Sequence, residues 1–113
     1  METEATRATV ATPATIVLHG DIDRGAEGDV TVAYDTAKGS ASGTLTLDFA
    51  DVTYINSTGI AVIVGLLAKA RQDGLTIHAY GLTDHYRHVF QITRLSDFMT
   101  IHADGRTQAA GGN

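Results

Sequence analysis

Cysteine is absent from the 113 residues, so neither a disulfide framework nor a thiolate metal site can hold this chain together. Stability has to come from packing, and a hydrophobic content of 43% is enough to supply one shared core. An excess of positive charge is lacking too, because 8 Lys and Arg stand against 13 Asp and Glu for a formal charge of -5. That balance repels a phosphate backbone and makes nucleic acid and anionic membrane poor partners. No run is long enough to cross a bilayer as a helix: the longest, Ile60 to Ala68, falls well short of the roughly 20 residues required. Met1 to Thr12 is polar and Thr/Ala-rich, without the basic start and apolar stretch of a secretory signal, so the protein is expected to be cytoplasmic. No repeat recurs at a fixed period. The expected organisation is a flexible N-terminus over 1–12, one domain over 13–104 and a flexible tail over 105–113.

What is present alternates between strand and helix patterns. Thr15 to Leu18 reads as a strand between Pro13 and a Gly20 turn. Gly25 to Lys38 carries Ala26, Val30, Ala33 and Ala37 at helical spacing, weakened by Gly28. After the break at Gly39, Ser40, Ser42 and Gly43, the Thr/Leu alternation of Thr44 to Asp48 predicts a half-buried strand. Asp51 to Ile55 reads as a loop leading to a helix that starts around Asn56, Ser57 and Thr58, carries Lys69 and Arg71 near its end and closes at Gly74. Thr76 to Tyr80 predicts another strand. Thr83 and Asp84 begin a helix whose Tyr86, Val89, Phe90 and Ile92 face a core, and a strand follows over Met99 to His102. Short connections between alternating elements predict an α/β domain with three or four α-helices stacked on one mixed or parallel β-sheet.

The segment Tyr54-Ile55-Asn56-Ser57-Thr58-Gly59-Ile60 puts two hydroxyls and a glycine at the start of an almost wholly apolar helix. The first turn of a helix has N–H groups without intrahelical partners and the positive end of the macrodipole, so a phosphate on Ser57 is tolerated there. Gly59, lacking a Cβ, leaves the backbone open to a partner surface or a phosphate. On chemistry alone, the favoured reading is that Ser57 is an N-cap and Gly59 a close-packing residue, and capping is compatible with phosphorylation. The uniformly apolar run Ile60 to Ala68 calls for cover on more than one face, by the sheet and by a neighbouring element or a partner.

Asp48-Phe49-Ala50-Asp51-Val52-Thr53-Tyr54-Ile55-Asn56-Ser57-Thr58-Gly59-Ile60 resembles the central motif of STAS domains, the anti-sigma factor antagonists in particular. His19-Gly20-Asp21-Ile22-Asp23 is similar to the family's G-E-[IL]-D turn, Gly65 matches a glycine of its apolar helix, and Val89-Phe90-Gln91-Ile92-Thr93-Arg94-Leu95 resembles a late family segment. Together the matches run in order from about Ala14 to His102. The resemblance implies a partner-switching protein of transcription regulation. Unphosphorylated, it binds a serine-kinase anti-sigma factor (a GHKL-type ATPase) and displaces the sigma factor, and phosphorylation of Ser57 releases it. ATP belongs to that partner, and the chain itself is expected to use no cofactor. Asp21, Asp23, Asn56, Ser57, Thr58 and Gly59 are the residues the resemblance assigns to the partner surface, with Asp23 near the serine. The resemblance would have Asp23 form the docking surface or orient the hydroxyl, and from sequence it reads equally as a loop-capping carboxylate.

Two positions depart from the family. Asn56 stands where it has Asp, replacing a carboxylate by a neutral amide, and Arg94 stands where it has Gly. Thr58 offers a second hydroxyl beside Ser57. A role as an enzyme is not expected, because no base and orienting carboxylate can be assigned to Ser57. His85 and His88, at i and i+3, would need a third ligand such as His78 to hold a metal, and solvated or core histidines are the expectation. Other readings are a STAS subunit that binds and regulates a transporter ATPase, and a nucleotide-handling domain using the helix N-terminus as an anion site. A monomer, at most weakly self-associating, is expected.

Overall fold

The structure, a computed structural model, describes residues 7–11 and 14–102. Its elements in order are β1 (Ala8–Ala11), β2 (Thr15–Ile22), α1 (Glu27–Lys38), β3 (Thr44–Ile55), α2 (Ser57–Gln72), β4 (Thr76–Tyr80), α3 (Asp84–Ile92) and β5 (Thr100–Ile101). Short 3-10 turns, Arg24–Ala26 and Leu95–Phe98, precede α1 and β5. The strands lie side by side in chain order in one five-stranded sheet, β1 antiparallel to β2 and the rest parallel. A sheet laid down in chain order by right-handed crossovers carries all its helices on one face. Mixed sheet and helical cover are as the sequence predicts, with three α-helices.

The core lies between that face and the helices. Ile16 and Leu18 of β2, Leu45, Leu47 and Phe49 of β3, and Ile77 and Ala79 of β4 alternate inward. Ala26, Val30, Ala33 and Ala37 are all buried, as their spacing predicts, and Tyr34 joins them. Phe90 of α3 meets Phe49 edge to face at 5.8 Å. On the sheet's other face, His78 Nδ1 lies 2.9 Å from His102 Nε2, and the His102 ring stacks on Tyr80 at 4.2 Å.

Several expectations are corrected. Residues 8–11, expected to be flexible, form edge strand β1, because Ala8 to Ala11 pair in register with Leu18 to Thr15. Gly20 does not end β2: it takes φ +67° inside the strand, beside one of two register shifts against β3. Asp51 to Ile55 is not a loop but the second half of β3, paired with His19 to Ile22. Those irregularities disturb the alternation there, which is why a period-two reading loses the strand after Asp48. Ile92, expected in the core, is 65% exposed, and β5 spans two residues rather than four. Residues 1–6 and 103–113, and with them most of the expected N-terminal arm and the tail, lie outside the described residues.

Candidate functional site

Ser57 stands at the carboxyl edge of the sheet, where β2 and β3 end and α2 begins. The helix starts here because Asn56, in extended conformation, caps it: its Oδ1 accepts the Gly59 N–H at 2.9 Å. The cap is therefore Asn56, and Ser57 is the first helical residue. The amide carries out the capping without a charge, since only an oxygen acceptor is required. Ser57 is exposed, and its hydroxyl has no hydrogen-bond partner among the described residues. The N–H groups of Ser57 and Thr58 precede any intrahelical acceptor, which leaves donor capacity and the positive helix end beside that hydroxyl.

Thr58 is in a different state. Its hydroxyl donates to Asn56 Oδ1 at 2.7 Å and accepts the Arg24 N–H at 2.9 Å. Its proton is committed, and the β2–α1 connection is fastened through it to the start of α2. A cavity of about 180 Å³ opens beside it, lined by Arg24, Glu27, Thr58, Ala61 and Val62.

Gly59 is buried. A Cβ there would lie 1.9 Å from the Ile22 carbonyl oxygen and 3.1 Å from Ile55 Cγ2. The expectation that Gly59 gives a partner room to approach is corrected, because Ile22 already occupies that room and glycine is required for α2 to cross the end of β2. Asn56 N–H donates to the same carbonyl at 3.3 Å.

Asp23 is bonded within its own turn rather than to Ser57: its Oδ1 accepts the Gly25 N–H at 2.8 Å and lies 3.5 Å from Arg7 Nη1. This is the loop-capping role. Asp21, exposed on β2, accepts the Thr53 hydroxyl at 2.9 Å. Two supporting residues escaped sequence reasoning. Arg7 donates through Nη1 to the Asp21 carbonyl at 2.7 Å and through its backbone N–H to Asp29 at 2.8 Å, yet it sits in a stretch whose composition suggests no structure. The Tyr86 hydroxyl accepts the Ile55 N–H at 2.9 Å, holding the end of β3 from α3, whereas helical spacing marked Tyr86 only as a core side chain.

At the far end of α2, Tyr34 donates to Asp73 at 2.6 Å, with Lys38 Nζ at 3.4 Å. The Tyr34 bond, then Lys38, holds the Asp73 carboxyl below its ordinary value, and burial with the Asp73 bond pushes the Tyr34 phenol up. His78, considered as a third ligand for His85 and His88, faces His102 instead. Among the described residues no group of three or more His, Cys, Asp or Glu is placed to hold a metal ion. None of the helices there is long and apolar enough to cross a membrane.

The late motif explains a departure noted in the sequence. Arg94 has φ +69°, in the left-handed region where glycine is least strained, and its Nε bonds Asp97 at 2.9 Å. The family's glycine matches this backbone, and here an arginine adopts it.

An exposed serine at the start of an apolar helix, over the ends of parallel strands in a one-sided mixed sheet, defines a STAS domain. The chain matches the family described as "Mlab, STAS domain" over residues 5–101 and belongs to it, as a member of the anti-sigma factor antagonist type. It is 33% identical over 86 residues to an anti-sigma-B factor antagonist of Listeria monocytogenes, across 76% of this chain and 75% of that one. Its fold matches the anti-sigma factor antagonist SpoIIAA in its unphosphorylated form with a TM-score of 0.65 and 19% identity, covering 93% and 94% of the two chains. The phosphorylated form of SpoIIAA, from Bacillus, matches with a TM-score of 0.63 and 21% identity over 93% and 96%.

Proposed function

We propose that this chain is an anti-sigma factor antagonist that, with Ser57 unmodified, binds a serine-kinase anti-sigma factor and is released when that kinase phosphorylates Ser57. The observation that carries this reading is the contrast at the start of α2: Ser57 is exposed with an uncommitted hydroxyl, while the Thr58 hydroxyl is bonded on both sides. That contrast favours Ser57 over Thr58 as the acceptor, and in this reading Asn56 takes part by capping the helix. Names among the relatives agree with an anti-sigma factor antagonist role.

The partner surface in this reading is Ser57 with the exposed parts of Asp21 and Asp23. Asn56, Thr58 and Gly59 act beneath it by fixing the helix start. Phosphate adds about -1.5 to -2 charges at neutral pH. In this reading that charge, added to those of Asp21 and Asp23, opposes any partner face that is acidic or apolar.

Incubation with the serine kinase of the same genome and ATP should add one phosphate, located at Ser57 by peptide mass analysis and absent from Ser57→Ala. Ser57→Asp should lose binding to the kinase. If a kinase active on another substrate leaves the mass unchanged and Ser57→Asp binds as the wild type does, the switch is wrong. Co-purification of both proteins with a transporter ATPase would then favour a constitutive STAS subunit.

A further inference from the structure

The outer surface of α2 carries a second feature, remote from Ser57. Val64, Leu67, Ala68 and Arg71 recur at i, i+3, i+4 and i+7, one face of the helix, and Leu95 and Phe98 of the last 3-10 turn form the facing wall. Between them lies a trough of about 180 Å³ whose walls are side-chain carbon except at Arg71. Val64 and Phe98 remain 45% and 49% exposed, large apolar groups that no element of the described chain covers.

Arg71 sits at the rim with its guanidinium 5.6 Å over the Phe98 ring. Arg7, Arg87 and Arg94 each reach an aspartate, but Arg71 has no carboxylate partner among the described residues. Past the Arg71–Phe98 contact a wider cavity of about 510 Å³ opens, with Ser96, Asp97 and Thr100 on its polar side. An apolar trough thus ends at an unneutralised cation, in a chain whose net charge is -5.

We infer that this trough is a docking groove for an amphipathic helix of a second protein, one that presents a bulky apolar side chain with a glutamate or aspartate one turn away. The apolar side chain fills the space between Val64 and Phe98, and the carboxylate meets Arg71. From Val64 to Arg71 the groove runs about 10 Å along α2, at 1.5 Å per residue, the length of two turns of such a helix. A lysine in place of the acid would face Arg71 across the rim and be repelled. The groove begins about 10 Å along the helix from Ser57, so its occupancy does not depend on the phosphorylation reading.

The test titrates the ¹⁵N-labelled chain with two alanine-rich helical peptides, identical except that one has Glu and the other Lys one turn from a single leucine. Amide shift changes should be confined to Val64, Leu67, Ala68, Arg71, Leu95, Phe98 and their chain neighbours. The Glu peptide should bind about five-fold more tightly, the size of an exposed ion pair. Arg71→Gln should erase that preference, and Val64→Asp should abolish binding of both peptides. Both substitutions are at exposed positions, and retained spectral dispersion verifies that the variants are folded. Equal affinity of the two peptides for the wild type, shifts centred elsewhere, or no shifts with either peptide would overturn the inference.

Discussion

Ser57 and Thr58 are adjacent hydroxyls in opposite states: Thr58 gives its proton to Asn56 and accepts the Arg24 N–H, while Ser57 faces solvent without a partner among the described residues. The helix chemistry that treats them alike in a sequence is divided by one rotation about the helix axis.

That division is measurable without a partner. Thr58→Val keeps the shape but removes two hydrogen bonds, and the Arg24 N–H loses its acceptor. Urea unfolding should register a loss of about 1–2 kcal/mol. Ser57→Ala, at an exposed position, should stay within about 0.5 kcal/mol of the wild type.

Asn56 supplies an oxygen to the helix start, so Asn56→Ala should cost about 1 kcal/mol in the same experiment. Asn56→Asp retains the acceptor and places a negative charge at the positive end of α2. It should be as stable as the wild type or slightly more so.

Two glycines in one helix should respond with opposite signs. Gly59→Ala drives a Cβ into the Ile22 carbonyl and should destabilise by about 3 kcal/mol or more, or prevent folding. Gly65 is exposed, and a Cβ there would have no heavy atom within 4 Å. Gly65→Ala should raise stability by about 0.5–1 kcal/mol.

Arg94→Gly relieves left-handed backbone strain and gives up an exposed ion pair with Asp97. The strain is the larger effect, about 1 kcal/mol or more against a few tenths for the pair. The variant should unfold at a higher denaturant concentration.

The Tyr34–Asp73 bond sets a pH dependence at both extremes. Asp73 titrates lower folded than unfolded, so its contribution is present above the ordinary carboxylate value and fades as the pH falls below about 4. Tyr34 titrates higher folded than unfolded, so its contribution is complete below about pH 10 and is lost as the pH rises further. Tyr34→Phe should therefore lower the melting temperature at neutral pH, with the gap to the wild type closing toward both ends.

What the sequence disclosed and what it hid follow from the range of the interactions involved. α2 and β4 were readable because local chemistry fixes them: Asn56 before the apolar run, Gly74 after it with φ +74°, and a clean alternation over Thr76 to Tyr80. The second half of β3 was hidden because its pairing with β2 passes two register shifts, and no local period survives them. β1 was hidden because an edge strand of Ala, Thr and Val residues gains its order from Leu18 to Thr15 rather than from its own composition. At the candidate site, the place of Ser57 at the start of α2 could be read from the motif. The tethering of Thr58 and the reason for Gly59 depend on Arg24 and Ile22, more than thirty residues earlier.

The contact of Gly59 with Ile22 bears on how a signal can travel in this domain. A Cβ at Gly59 would lie 1.9 Å from the Ile22 carbonyl oxygen, so the first turn of α2 is seated directly on the end of β2. Ser57 is the exposed residue of that seated turn, so a change at its hydroxyl would be met first by whatever touches this surface.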